Sequence, residues 1–570
     1  MRPLLLLAAL SALLSNACYS AGDGKPPPLE ELYFPTGLAL DHLSEKDELG
    51  KPTGLPAKYL YVVNSDFDLQ YRAASLISYD LDLLRDIVPR NCRTTADCEG
   101  DDLCDAPGAE GIPTEPPRVP SYFCVDRRTL APCSAFGDRD EADLVLNPGR
   151  CKSIDPVNPQ DGSPSILVDK VGIGAFATDV IWRKNPEPDP QYPGRLFVPV
   201  RGDSTLHWID VREGKFTCGQ NGDDDNGCDD QHRSGDSTAD NHDELRMPAE
   251  PYAVDASAKG EYVAITNQTS GSVSLFANRW GSDAGPELVD ILTGLPLAPV
   301  AIAALPEPVL ADGIPQPSPG FLVAYRTAAQ IDLLRVRSDA VDTNTALMNY
   351  TYHSLTWAGS VAINANSLGF DSRGIAIDDS ERLKDYDGCD CKLAADPAEC
   401  EAERPACLRA VHQPAVYVAS RAPASLLVGA MTADFGYPSG TSELPSFTDS
   451  VSLTFGPSRV IVGDVKVPGT AQSAQQDEAG PYEIETRVFV VCFDSRRIFV
   501  YDPKRRLVDA IISTGRGPYA LALDGVRGLA YLGHFTDSYL GVVSLDQRFP
   551  QTYATIVASI GAPKAPRSSK

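Results

Sequence analysis

Residues 513–546, STGRGPYALALDGVRGLAYLGHFTDSYLGVVSLD, contain three short apolar runs separated by Gly-, Asp- and Ser-bearing turns. Runs this short, bounded by turn residues, read as strands rather than helices. The unit recurs along the chain. Its first copy uses 35–41, 58–64 and 74–82, the second 176–182, 194–201 and 204–211, and the third 251–257, 261–267 and 271–278. The fourth uses 298–305, 320–326 and 329–336, the fifth 373–379, 414–421 and 424–430, and the sixth 458–465, 487–494 and 497–502. The opening stretch is the seventh, and a fourth strand usually follows, as in RRLVDAIIST at 505–514 and TYATIVASIG at 552–561. One such sheet cannot bury both of its faces, so the copies must stack against one another.

Radial stacking of four-stranded sheets is the all-β solution, and 45 glycines and 47 prolines suit many turns better than long helices. The copies GPYALALDGVRGLAYLGH and EPYAVDASAKGEYVAITN resemble the YVTN-type β-propeller repeat. The resemblance implies a seven-bladed β-propeller over residues 33–563, carrying disulfide-rich loop insertions, and it says little about activity. The chain enters on a first-type strand and leaves on a fourth-type strand, so no strand exchange is expected to close the ring.

The first residues give an address. Arg2, the apolar run Leu4 to Leu14 and small residues at Ser15 and Ala17 form a secretory signal over 1–17. Cys18 in LLSNAC resembles the acylated cysteine of a bacterial lipoprotein, with 18–32 as the tether; an ordinary secreted protein is the alternative. Residues 564–570 form a tail. The remaining cysteines fall in even groups: Cys92, Cys98, Cys104, Cys124, Cys133 and Cys151; Cys218 and Cys228; Cys389, Cys391, Cys400 and Cys407. Even groups in exported, loop-like sequence favour disulfides, with connectivity open. Cys492, alone in RVFVVCFD, reads as a buried thiol.

Strands that alternate in direction sort the connections onto two faces. The insertions at about 86–164, 212–246 and 382–413 carry acidic runs, and with shorter excursions at 43–57, 184–194, 306–319 and 467–486 they all leave one face. The trimmed face carries Arg201, Arg326 and Arg421 at second-strand ends and Arg373, Arg459 and Arg516 at inter-blade turns. With His534 they form a candidate anion pocket, because guanidinium groups grip carboxylates and phosphates bidentately. Pairing of each arginine with a nearby aspartate is the bland alternative.

The loop with Asp223, Asp224, Asp225, Asp229 and Asp230 is a weak calcium candidate, since it departs from the EF-hand pattern; no other cofactor is expected. Walker, HExxH, GxSxG and dinucleotide motifs are missing from the sequence, so no catalytic residue is assigned. A net charge of −28 argues against nucleic acid. The resulting expectation is an envelope lipoprotein, in the outer membrane or at the cell surface, binding an envelope protein or glycan through its stapled insertions. The alternative is a lactonase-like propeller hydrolase acting on an anionic substrate at the short-loop face.

Overall fold

The computed structural model describes residues 25–563 except 42–55, 89, 93–102, 105–123, 126–152, 160–163, 187–192, 220–226, 237–244, 282–284, 342–349, 364–369, 392–395, 433–434, 438–442, 471–474 and 478. The expected signal peptide, Cys18, the tail, Cys98, Cys133, Cys151 and Asp223 to Asp225 lie outside the described residues.

Seven sheets follow one another along the chain as the blades of a β-propeller. Blade 1 pairs Pro35–Leu40, Tyr59–Asn64, Ala74–Asp80 and Leu167–Ile173 in that order outward from the channel. Blades 3 to 7 repeat the antiparallel order, blade 7 running Pro518–Asp524, Leu529–His534, Tyr539–Ser544 and Ile556–Ile560. Each inner strand is opened by a residue in the left-handed region: Phe34, Phe176, Glu250, Ala298, Asp371, Gly456 and Gly517. In six blades the carbonyl of that residue accepts the amide just past the second strand, as in Ser65 to Phe34 and Arg201 to Phe176. A β-bulge follows in most blades, between Pro35 and Gly37 in the first. The glycine has a steric reason. A Cβ at Gly37 would lie 2.8 Å from the amide nitrogen of Val180, and one at Gly374 2.7 Å from that of Val460. Glycine therefore lets adjacent inner strands approach.

The apolar core lies between blades. Tyr61, Val63 and Leu76 of blade 1 pack with Leu196, Val198 and Val200 of blade 2, all buried. Between blades 2 and 3 the buried Arg195 reaches Asp210 at 2.7 Å and Asn278 at 2.7 Å, with its guanidinium 4.4 Å from the Trp208 ring centre. Cys492 is a buried free thiol, and burial pushes its pKa up to about 11, which makes it inert.

The insertions add three things to the expectation. In blade 2 the outer strand is split around its loop, into Lys215–Thr217 and Arg233–Ser234, both paired with Thr205–Arg212. The blade 1 insertion leaves earlier than expected, as a helix Leu81–Ile87 capped by the Asp80 carboxylate. It later sends Ser153–Ile154 to the rim of blade 7, where the pair lies parallel to Ile556–Ile560. No strand is exchanged within blade 7, yet this crossing piece covers its edge and ties the last blade to the first.

Four disulfides occur among the described residues: Cys92–Cys104, Cys218–Cys228, Cys389–Cys407 and Cys391–Cys400. Cys124 has its backbone paired with Cys104. The last two bridges join helix Ser380–Gly388 and the turn after it to helix Pro397–Ala410, which begins with Asp396 as cap and Pro397 at its first position.

Candidate functional site

On the trimmed face, the short turns and inner-strand openings surround the channel mouth with rings. Phe67, Phe493 and Phe535 come from second-to-third-strand turns; Phe34, Phe176, Tyr252 and Tyr519 come from inner-strand openings. Phe67 lies 5.2 Å from Phe535 and 6.1 Å from Phe176, centre to centre, and Phe535 lies 6.3 Å from Tyr519. None of the seven is fully buried, and Phe67 is 53% exposed. Most of these rings, with Thr36, Ser65, Thr178 and Arg201, line a cavity of about 190 Å³.

The floor of this cup is made by contacts across the channel. The hydroxyls of Tyr252 in blade 3 and Tyr519 in blade 7 meet at 2.9 Å. Beside them Arg459 of blade 6 donates to Asp179 of blade 2 at 3.0 Å, with its guanidinium 4.5 Å from the centre of the Tyr519 ring. Burial pushes the Asp179 carboxyl up, and the Arg459 guanidinium opposes it. Arginine keeps its charge in a protein, and that charge is what opposes the effect of burial on the carboxyl. Two tyrosines and an ion pair thus stand in the channel among the small residues of the inner strands. The dipeptide Pro-Tyr in EPYAV and GPYAL was the available signal, since it places an aromatic ring at the same point of two blades.

The six arginines do not gather around one vacant point. Arg201 pairs with Glu250 at 2.7 Å, Arg373 with Asp371 at 2.6 Å, Arg459 with Asp179, and Arg516 with Asp537 at 2.9 Å. Arg421 lies 3.6 Å from Asp494 and donates to the Pro457 carbonyl at 2.9 Å, while Arg326 lies 3.8 Å from Asp371. Arg201 and Arg459 reach the cup, the first as a wall and the second beside the floor. His534 is buried, its ring stacked 4.0 Å from Tyr539, and its Nε2 accepts the Gly515 amide at 3.2 Å.

The asparagines that end second strands and the described aspartates of the calcium candidate have structural partners. Asn64 donates to Ser75 at 3.0 Å and Asn267 to Ser274 at 2.8 Å. Asp229 caps the short 3-10 turn Asp230–His232 and holds His232 Nδ1 at 2.6 Å, and Asp230 pairs with Arg233 at 2.5 Å. Among the described residues no three His, Cys, Asp or Glu side chains gather as a metal site.

A larger cavity of about 580 Å³ lies on the decorated side, between the long blade 6 hairpin, blade 7 and the blade 1 insertion, with Arg85, Arg90, Lys466, Arg527 and Arg548 in its wall. A basic hollow was not expected on the acidic face. Arg548 is bidentate to Asp477 at 2.6 and 2.7 Å, Lys466 reaches Asp477 at 2.8 Å, and Arg527 reaches Asp524 at 3.1 Å. The hollow is therefore a clamp between blades 6 and 7.

No protein family matches the sequence, and no curated protein matches it. Among solved structures the chain is similar to a Lactobacillus plantarum protein, at 12% identity over 85% of this chain and 86% of that one, with a TM-score of 0.38. It is similar to a Bacteroides uniformis protein described as a candidate 6-phosphogluconolactonase, at 10% identity, the same coverage and a TM-score of 0.38. A periplasmic gluconolactonase of Pseudomonas aeruginosa is similar at 10% identity, again over 85% and 86% with a TM-score of 0.38. Likeness at this level assigns no activity to the chain.

Proposed function

We propose that this chain is an exported, lipid-anchored propeller of a bacterial envelope that binds a protein or glycan partner through its disulfide-stapled insertions and performs no chemistry on it. The observation that carries this reading is where the cross-links lie. Three of the four described disulfides, Cys92–Cys104, Cys389–Cys407 and Cys391–Cys400, are in insertions that leave the decorated face, the fourth closes the loop that interrupts the outer strand of blade 2, and none joins one blade to another. Cross-links placed outside the strands of the blades brace the insertions locally, which suits a contact surface.

The start of the described chain supports the orientation. Lys25 bridges Tyr71, and its carbonyl accepts the Arg72 amide at 3.0 Å, so the tether leaves from the trimmed face. Seven extended residues from Cys18 to Lys25 reach about 25 Å, so acylation at Cys18 would turn the trimmed face to the membrane and the insertions outward. Among the described residues no helix is long and apolar enough to cross a membrane. A lactonase reading needs a base at the mouth, and its only named histidine is held beneath Tyr539 instead.

Intact mass of the mature protein from membrane and soluble fractions tests the anchor: the expected species begins at Cys18 with acyl chains and gains mass on reduction. A soluble, unacylated form would overturn it. Photo-crosslinking from exposed Glu401, against the outer-strand position Leu507, tests the face: an adduct is expected from the insertion alone.

A further inference from the structure

The aromatic cup at the channel mouth has no part in partner binding by the opposite face, and its make-up is specific. Seven partly exposed rings in one place are costly in water unless something covers them. The cavity of about 190 Å³ is close to the roughly 150 Å³ that admits a benzene ring in an engineered apolar cavity, so it holds one ring with a small substituent.

The polar groups narrow the substituent. Thr36 Oγ1 donates to the Ala177 carbonyl at 2.9 Å and Thr178 Oγ1 to that of Tyr252 at 2.7 Å, so neither hydroxyl hydrogen is left for a ligand. A sugar would face phenyl walls with most of its hydroxyls unmatched, and an unmatched buried polar group weakens binding. Ser65 adds a neutral hydroxyl to the wall, and the charged donor is Arg201. Arg201 makes a single side-chain hydrogen bond among the described residues, from Nη2 to Glu250, which also accepts from Thr269. A guanidinium has five N–H donors in a planar fork. Glu250 thus fixes the arginine from one side and leaves other N–H groups at the cavity wall.

We propose that the channel mouth on the trimmed face binds a small aromatic carboxylate, its ring held among Phe67, Phe176 and Phe535 and its carboxylate on Arg201. A charge-assisted hydrogen bond to the carboxylate contributes a further tenfold to hundredfold in affinity, roughly, over the uncharged ring.

The test is titration calorimetry of the full chain with benzoate, benzyl alcohol and gluconate, which need no variant to separate ring from charge. Saturable benzoate binding is expected, at least about tenfold tighter than benzyl alcohol, with no binding of gluconate. Arg201→Gln is expected to reduce benzoate to the level of benzyl alcohol, and Phe67→Ala, at a half-exposed position, to weaken both with an unchanged melting temperature. The proposal is overturned by absence of benzoate binding, by equal affinity for benzoate and benzyl alcohol, by preference for gluconate, or by benzoate binding indifferent to both substitutions. None of these outcomes bears on the lipid anchor or the insertion face, whose tests are separate.

Discussion

Asp66 closes the turn after the second strand of blade 1. Its Oδ1 accepts the Tyr71 amide at 3.1 Å, and its buried Oδ2 has no hydrogen-bond partner among the described residues. Burial pushes its pKa up to about 6. A carboxyl raised above its unfolded value keeps its proton in the fold after the unfolded chain has released its own, so stability falls as pH rises from about 4 to about 6 and is level above. Asp66→Asn keeps the accepting oxygen and removes the titration. Its melting temperature should exceed that of the parent at pH 7.5 and match it at pH 3.5; equal melting temperatures at both would show that the carboxyl is not under strain. Asp477 has the opposite sign: burial raises it, but Arg548 and Lys466 outweigh that and hold it well below the usual range, so its contribution is present above about pH 4 and lost on acidification. Nothing in DFD or QQDEAG distinguished these two aspartates. Each owes its behaviour to groups brought by the fold.

Most strands of the blades were legible because they are short, apolar and punctuated by turns. The exceptions are informative. The outer strand of blade 2 was placed after its insertion, whereas Lys215–Thr217 and Arg233–Ser234 share the pairing with one neighbour; pieces this short carry no periodicity. The helical pair at 380–410 was expected only as a cysteine-bearing loop. Its amphipathic signal is weak because the two bridges and the caps, rather than an apolar stripe, hold much of its shape. Cys389→Ser with Cys407→Ser should therefore loosen the insertion by about 3 kcal/mol of chain-closure free energy while leaving the blades intact. Limited proteolysis should cut between 389 and 413 in the double variant and spare the parent, with the main thermal transition unmoved. A large drop in that transition would mean the insertion is part of the ring's stability.

At the scale of the whole molecule, closure of the ring depends on non-covalent contacts between blades 7 and 1. Phe34 donates its amide to Ser538 at 3.2 Å and packs 5.2 Å from Phe535; Arg527 joins the buried Asp524 to Asp82 and the Ala57 carbonyl. Arg527→Ala strands the Asp524 carboxylate, a loss of about 3–5 kcal/mol for a broken buried pair. Hydrogen exchange should then quicken first in strands 35–40 and 518–524, with blades 3 to 5 unchanged; uniform acceleration around the ring would show that the seam is no weaker than the other interfaces. The number of blades and most of their strands were readable from the chain alone, because strand length, turn chemistry and alternation of direction are local properties that repeat. The cup, its tyrosine and arginine floor and the strand Ser153–Ile154 on the rim of blade 7 were decided only in three dimensions. They join residues from blades far apart in sequence, and no local pattern records which side chains a closed ring will bring face to face across its axis.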